Sequence, residues 1–266
     1  MDRVKIGLVG SGFAAALHME AYKQVYGIEP WVAAVASPSE RAGDFAREYG
    51  IPSVYRCMEE MIRKERPDVV DICSPPSLHA PMIGSAMGAG CHVICEKPLT
   101  GWFGDSAEPD MAKKVMEQLE QLRRVVERSG RKFFYAENFI YAPAVQKSAS
   151  LIRAAGEHIL FMRGEESHSG SHAGHAALWS MNGGGSLIRQ GCHPLSALLY
   201  LKQLENGKGA KAVGVTADMG YIVPTLNEEE RKNIQARPKD VEDLANVILT
   251  FEDGTKALIT AGDMIL

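Results

Sequence analysis

Residues 4–26 read VKIGLVGSGFAAALHMEAYKQVY, and the reading of this stretch decides the fold. An apolar run, Val4–Val9, ends in Gly10 and Gly12, and a helix-forming segment from Ala14 to Tyr26 follows at once. Strand, glycine turn and helix in that order give the G-x-G-x-x-G/A pattern, with Ala15 in the third small position. Gly10 permits the tight turn, Gly12 lets backbone approach a pyrophosphate, and Ala15 lets the helix pack closely on the strand. The first N–H groups of that helix, around Phe13 and Ala14, lack intrahelical acceptors and suit anionic oxygens. A glycine turn that binds nothing would look similar, so the strand before and the helix after carry the dinucleotide reading.

Outward from this turn, the same alternation continues to about Asn138. Candidate strands Val4–Val9, Trp31–Ala36, Val69–Cys73, His92–Cys95 and Lys132–Ala136 alternate with candidate helices Ala14–Tyr26, Ser39–Tyr49, Cys57–Lys64, Leu78–Ala89 and Met111–Ser129. Such βαβ units build a parallel sheet, and the nearly continuous apolarity of VVDIC and HVIC suits strands covered by helices on both faces. Residues 1–141 are therefore expected to form an α/β Rossmann domain with a doubly wound parallel sheet. Beyond it the pattern changes to a helix near Pro143–Ala154, a strand, a glycine-rich loop and a helix near Leu187–Leu201. The runs Leu244–Phe251 and Thr255–Thr260, joined by Glu252-Asp253-Gly254, read as a hairpin. Residues 142–266 are thus expected to be an α+β substrate and oligomerisation domain with a mostly antiparallel open sheet. Its last strand ends almost at the final residue, so the sheet reads as unfinished, through truncation or by being naturally small.

Of the 266 residues, 45% are apolar and 23% charged, enough for a sizeable core. A net charge of −4 offers no attraction to nucleic acid or to an anionic membrane, which leaves a small molecule as the expected partner. No apolar run reaches the roughly 18 to 20 residues that span a bilayer, and MDRVKIGLVG reads as a strand rather than a signal peptide, so a cytoplasmic location is expected. The five cysteines (Cys57, Cys73, Cys91, Cys95, Cys192) lack CxxC spacing and mostly sit in apolar segments, as reduced buried thiols do. Neither a disulfide framework nor a metal site is expected.

The second strand candidate ends at Ser37, where NAD-binding folds carry an acidic residue for the ribose diol. Ser37, Ser39 and Arg41 could instead receive a 2′-phosphate, which tips the expected cofactor from NAD toward NADP. Arg41 reads equally as a solvated residue on a helix face.

Two further segments, DVVDICSPPSLHAPMIGSAMGAG (68–90) and CHVICEKPLT (91–100), together resemble the Gfo/Idh/MocA oxidoreductases. In that family one strand ends in T/S-P-x-x-x-H and the next in Glu-Lys-Pro, matched here by Ser74-Pro75, His79 and Glu96-Lys97-Pro98. His18 in the first helix and ENFIYAP, with Asn138 and Pro143, also match. The resemblance implies that Gly10, Gly12, Phe13, Ala14, Ser37, Arg41, Ser74, Pro75, His79, Glu96, Lys97 and Asn138 face a dinucleotide, and it suggests a cis bond before Pro98. Ligands of open α/β sheets bind beyond the carboxyl ends of the strands, where these turns would converge. An ammonium at Lys97 can hydrogen-bond a substrate oxygen and stabilise charge that develops during hydride transfer. A lysine at a strand end is also commonly just solvated.

The segment NGGGSLIRQGCHPLSALLYL (182–201) resembles the family's GGGxLxDxGxHxxD, with His193 at the histidine. Arg189 and Ser196 replace its two acidic residues, so the implied catalytic roles carry over to Lys97 and His193 alone. Arg189 could clamp a substrate carboxylate or phosphate, or pair structurally with an acidic side chain. Upstream, GEESHSGSHAGHAALW (164–179) holds His168, His172, His175 and Trp179 without ligand spacing for a metal, and reads as a loop lining a sugar-sized polar pocket. Trp102 and Phe103, flanked by glycines, are expected to form either a lid or a subunit contact.

The leading expectation is hydride transfer between NAD(P) and a secondary alcohol of a sugar, cyclitol or sugar acid. An NAD-dependent glycosidase or lyase without net redox change, and a degenerate dinucleotide-binding protein, are the alternatives. The resemblance also implies a homodimer or tetramer through the second-domain sheet.

Overall fold

A computed structural model describes residues 2–104, 108–171, 173–205 and 210–263 of the chain. Its first sheet contains β1 (Arg3–Val9), β2 (Glu29–Ala36), β3 (Ser53–Tyr55), β4 (Val69–Ile72), β5 (His92–Cys95) and β6 (Phe133–Tyr135), in the spatial order β3-β2-β1-β4-β5-β6. Every pairing is parallel. The order reverses direction between β1 and β4, which is where ligands of doubly wound sheets bind. Helix α1 (Phe13–Tyr22) and α2 (Ala42–Tyr49) cover one face through Ala15, Met19 and Phe45. Helices α3 (Met58–Glu65), α4 (His79–Gly88) and α5 (Met111–Ser129) cover the other through Met61, Ile83 and Leu122. This double cover explains why VVDI and HVIC are apolar at nearly every position. The short β3, only three residues long, carried no run that the sequence reading could pick out.

By internal contacts the chain divides into two units, Met1–Thr100 with Glu108–Ala136 and Gly101–Ala107 with Glu137–Leu266. The second unit holds α6 (Pro143–Ala155), β7 (Phe161–Ser167), α7 (Trp179–Asn182), α8 (Cys192–Gln203), β8 (Ala212–Gly220), β9 (Leu244–Phe251) and β10 (Lys256–Gly262). Its sheet runs β7-β10-β9-β8. The hairpin β9–β10 forms with Thr250 opposite Lys256, and Gly254 takes the left-handed turn position at φ +89. β8 joins β9 antiparallel, whereas β7 joins β10 parallel, so the sheet is mixed. Alternate residues of β9, including Val247, Leu249 and Phe251, face a core shared with Leu198 of α8.

The glycine-rich segment is more contorted than a simple loop. Gly185 lies so close to Glu242 that an added Cβ would fall 1.8 Å from its carbonyl oxygen. A turn of π-helix, Leu187–Gly191, then leads into α8. Among the described residues no helix is long and apolar enough to cross a membrane.

Candidate functional site

In the first unit, Gly10 takes φ +104, and a Cβ there would meet the Cys73 carbonyl oxygen at 2.6 Å. Only glycine lets the ends of β1 and β4 approach this closely. Gly12 has the opposite surroundings: a Cβ would find nothing within 4 Å, so its backbone is open to a ligand at the start of α1. Phe13 is exposed and Ala14 half-buried on that same first turn. Ser37 is buried, and its Oγ accepts from Ser11 Oγ at 3.0 Å and from the Ser39 N–H at 3.3 Å, tying the glycine turn to the end of β2. Arg41 is exposed just before α2. A turn with open backbone, a helix start and no carboxylate at the end of β2 fits the phosphates of a dinucleotide.

Beneath this turn lies a charged network that the sequence reading did not find. Asp71 is fully buried in β4 and accepts from Tyr22 Oη at 2.6 Å and from His18 Nδ1 at 2.8 Å. The other nitrogen of His18 contacts Glu96 Oε1 at 3.1 Å. Burial alone would lower the imidazole's pKa, but hydrogen bonds to Asp71, Cys73 and Glu96 outweigh it and push it up to about 12. Burial opposes ionisation of Glu96 as well, yet the His18 contact holds its carboxyl below the usual range. Glu96 Oε2 in turn accepts the Lys97 N–H at 3.1 Å, which anchors the turn that carries Lys97. The Lys97–Pro98 peptide is cis, as the resemblance suggested.

One expected cofactor residue needs correction. His79 is fully buried, with Nδ1 at 2.7 Å from the Pro98 carbonyl and Nε2 at 2.9 Å from that of Ser74. With no exposed surface and its N–H directed at one of these backbone carbonyls, His79 ties the Ser74–Pro75 turn to the Lys97–Pro98 turn instead of meeting a nucleotide. Burial pushes its imidazole toward the neutral form, against the two carbonyl contacts.

In the second unit, His193 stands on the first turn of α8 and its Nδ1 lies 2.7 Å from Glu137 Oε1. The same carboxylate oxygen accepts from the Phe139 N–H at 3.1 Å, and the Phe139 ring stacks on the imidazole at 4.4 Å. Asn138, expected at the cofactor, is exposed; its neighbour Glu137 is the buried, engaged residue.

Arg189 requires the second correction. Its guanidinium pairs with Asp263, which is buried at the end of β10 and also accepts from Gln190. The structural pairing expected as an alternative is therefore what the arginine makes, with an aspartate 74 residues away. His175 is half-buried, and burial together with the Arg189 charge lowers its pKa. His172 lies outside the described residues. Phe103 packs against Gly183, where a Cβ would come within 3.0 Å of its ring.

Several buried polar atoms of this unit have no hydrogen-bond partner among the described residues: Glu137 Oε2, Ser167 Oγ, Trp179 Nε1 and Gln190 Oε1. Each such atom costs about 1–3 kcal/mol unless water or a ligand satisfies it.

Residues 4–128 match a family model described as "Oxidoreductase family, NAD-binding Rossmann fold", and residues 158–264 match one described as "GFO/IDH/MocA C-terminal domain". The chain belongs to the Gfo/Idh/MocA family. Among Gfo/Idh/MocA relatives, D-apiose dehydrogenase of Paraburkholderia graminis is 29% identical over 153 residues, covering 58% of this chain and 37% of its own length. Inositol 2-dehydrogenase of Rubrobacter xylanophilus is 31% identical over 161 residues, covering 60% of this chain and 43% of its own. The matches with these curated relatives thus span less than half of their length. An NAD binding oxidoreductase from Klebsiella pneumoniae superposes with a TM-score of 0.75 at 26% identity, covering 98% of this chain and 67% of that one. Levoglucosan dehydrogenase, solved with NADH and levoglucosan, shares the fold with a TM-score of 0.80 at 24% identity, over 98% and 67% of the two chains.

Proposed function

We propose that this Gfo/Idh/MocA chain is an NAD(P)-dependent oxidoreductase acting on a secondary alcohol of a sugar or cyclitol. The observation that carries the reading lies in the first unit. The Gly10 turn touches Cys73 at the end of β4, β5 is the next strand over, and Lys97 follows it on a turn anchored through Glu96. The nicotinamide, when bound, supplies the acceptor or donor of a hydride. Gly12 and the N-terminus of α1 hold the phosphates, and Arg41 favours a 2′-phosphate because Ser37, not a carboxylate, follows β2. Lys97 binds the alcohol oxygen and stabilises its negative charge, while His193 takes or returns the proton. The unpartnered polar atoms of the second unit and the sugar and inositol dehydrogenases among the relatives support a polyol substrate.

A panel of sugars, sugar acids and inositols tested with both NAD and NADP, read at the nicotinamide absorbance band, checks this. A stoichiometric rise in reduced nucleotide is expected with at least one polyol, faster with NADP, and Lys97→Ala should lower kcat at least about 100-fold. Product formation without net nucleotide reduction would overturn the redox assignment.

A further inference from the structure

We infer that Glu137 is a positioning residue for His193, fixing the imidazole as the Nδ1–H tautomer so that Nε2 carries the proton exchanged with substrate. The inference rests on the oxidoreductase reading for its consequence, though not for its geometry.

A carboxylate can only accept, so the 2.7 Å contact from Glu137 Oε1 makes His193 Nδ1 the donor. Nδ1 is thereby committed, and Nε2 is the ring atom left to meet a ligand. Two other features hold the ring in one orientation: Phe139 stacks on its face at 18° between planes, and α8 carries its backbone. Glu137 is itself fixed, since it is 2% exposed and caps the following turn through the Phe139 N–H. Taking up a proton on Nε2 creates an imidazolium, and a buried carboxylate 2.7 Å from Nδ1 stabilises it when it forms. The remaining oxygen, Oε2, has no partner among the described residues, which is the cost of keeping a carboxylate rather than an amide here.

Glu137→Gln keeps the side-chain length and an acceptor for Phe139 but removes the charge. It should lower kcat about 100-fold, leave nucleotide binding and the substrate KM within about 3-fold, and move the acid limb of the pH–rate profile. Glu137→Asp should recover part of the rate. A residue that merely capped the turn would leave rate and profile as in the parent, and that result overturns the inference. Nitrogen NMR on chains labelled at histidine gives a readout without turnover. The parent should show the Nδ1–H form at His193 and Glu137→Ala a shift toward Nε2–H. An unchanged tautomer overturns the inference even if no substrate is found. A changed tautomer in a chain that never reduces a nucleotide upholds the pairing and removes the oxidoreductase reading instead.

Discussion

Asp71 is a carboxylate with no exposed surface in the middle of a central strand, and an unpaired charge there would be prohibitive. His18 makes it tolerable by staying protonated between Asp71 and Glu96. Tyr22 stays a phenol that donates to Asp71, because burial first and the Asp71 charge second raise its pKa. The folded pKa of His18, about 12, lies above its ordinary 6.5, so its stabilisation is complete below the lower value and fades as pH rises toward the upper. The stability gap between the parent and His18→Asn in urea unfolding should therefore be widest near roughly pH 6 and shrink steadily by roughly pH 9. A gap independent of pH would remove the imidazolium from this account. Two glycines in one turn should separate fold from function. Gly10→Ala must place a Cβ 2.6 Å from backbone at positive φ, and should cost about 2 kcal/mol or more in thermal or urea unfolding. Gly12→Ala meets open space and should leave the unfolding midpoint nearly unchanged while weakening nucleotide affinity, measured by titration calorimetry.

At the scale of elements, α8 is pinned at both ends by carboxylates from elsewhere in the unit. Ahead of it, Glu242 accepts from the Gly185 N–H at 2.8 Å and the Leu187 N–H at 3.0 Å, holding the glycine segment and the π-turn against β9. Burial raises the Glu242 carboxyl's pKa, with those N–H bonds opposing the rise. At the far end Lys202 is 1% exposed and pairs with Glu205, with Asp253 at 2.7 Å and with Thr255 Oγ1 at 2.9 Å. This cluster fastens the helix to the β9–β10 turn, and Thr255 continues it to the Ile159 carbonyl before β7. Lys202→Met leaves Glu205 buried without its cation and should cost about 3 kcal/mol in urea unfolding, whereas Lys202→Met with Glu205→Gln should regain part of that. A loss below about 1 kcal/mol for the single variant would show that the cluster contributes little. The sequence placed a helix near Leu187–Leu201 but carried no sign of these tethers. β8 was missed altogether, because eight of its nine residues are exposed and the strand shows no contrast between faces.

For the molecule as a whole, the order of elements settled the architecture. Alternating short apolar runs and helices require right-handed parallel crossovers, and a glycine turn after the first strand marks the end at which ligands bind. The hairpin signal Glu252-Asp253-Gly254 likewise fixed β9 against β10. These features are legible because they depend on neighbours two to four residues apart: pleat, helical turn and turn chemistry are local. Pairings across the chain are not. His79 read as a cofactor residue because its motif cannot say which way the ring points, and burial against Ser74 and Pro98 decided that. Arg189 read as either a substrate clamp or a structural partner, and Asp263, 74 residues on, is the acid that takes its guanidinium. Glu137 and His193 are 56 residues apart, and His18 and Glu96 are 78. The sequence by itself thus determined the family, the doubly wound parallel sheet of the first unit and the glycine turn after its first strand. Only the folded chain decided which carboxylate stands beside each cation, because a low-dielectric interior forces every buried charge to find a partner wherever the fold brings one within reach.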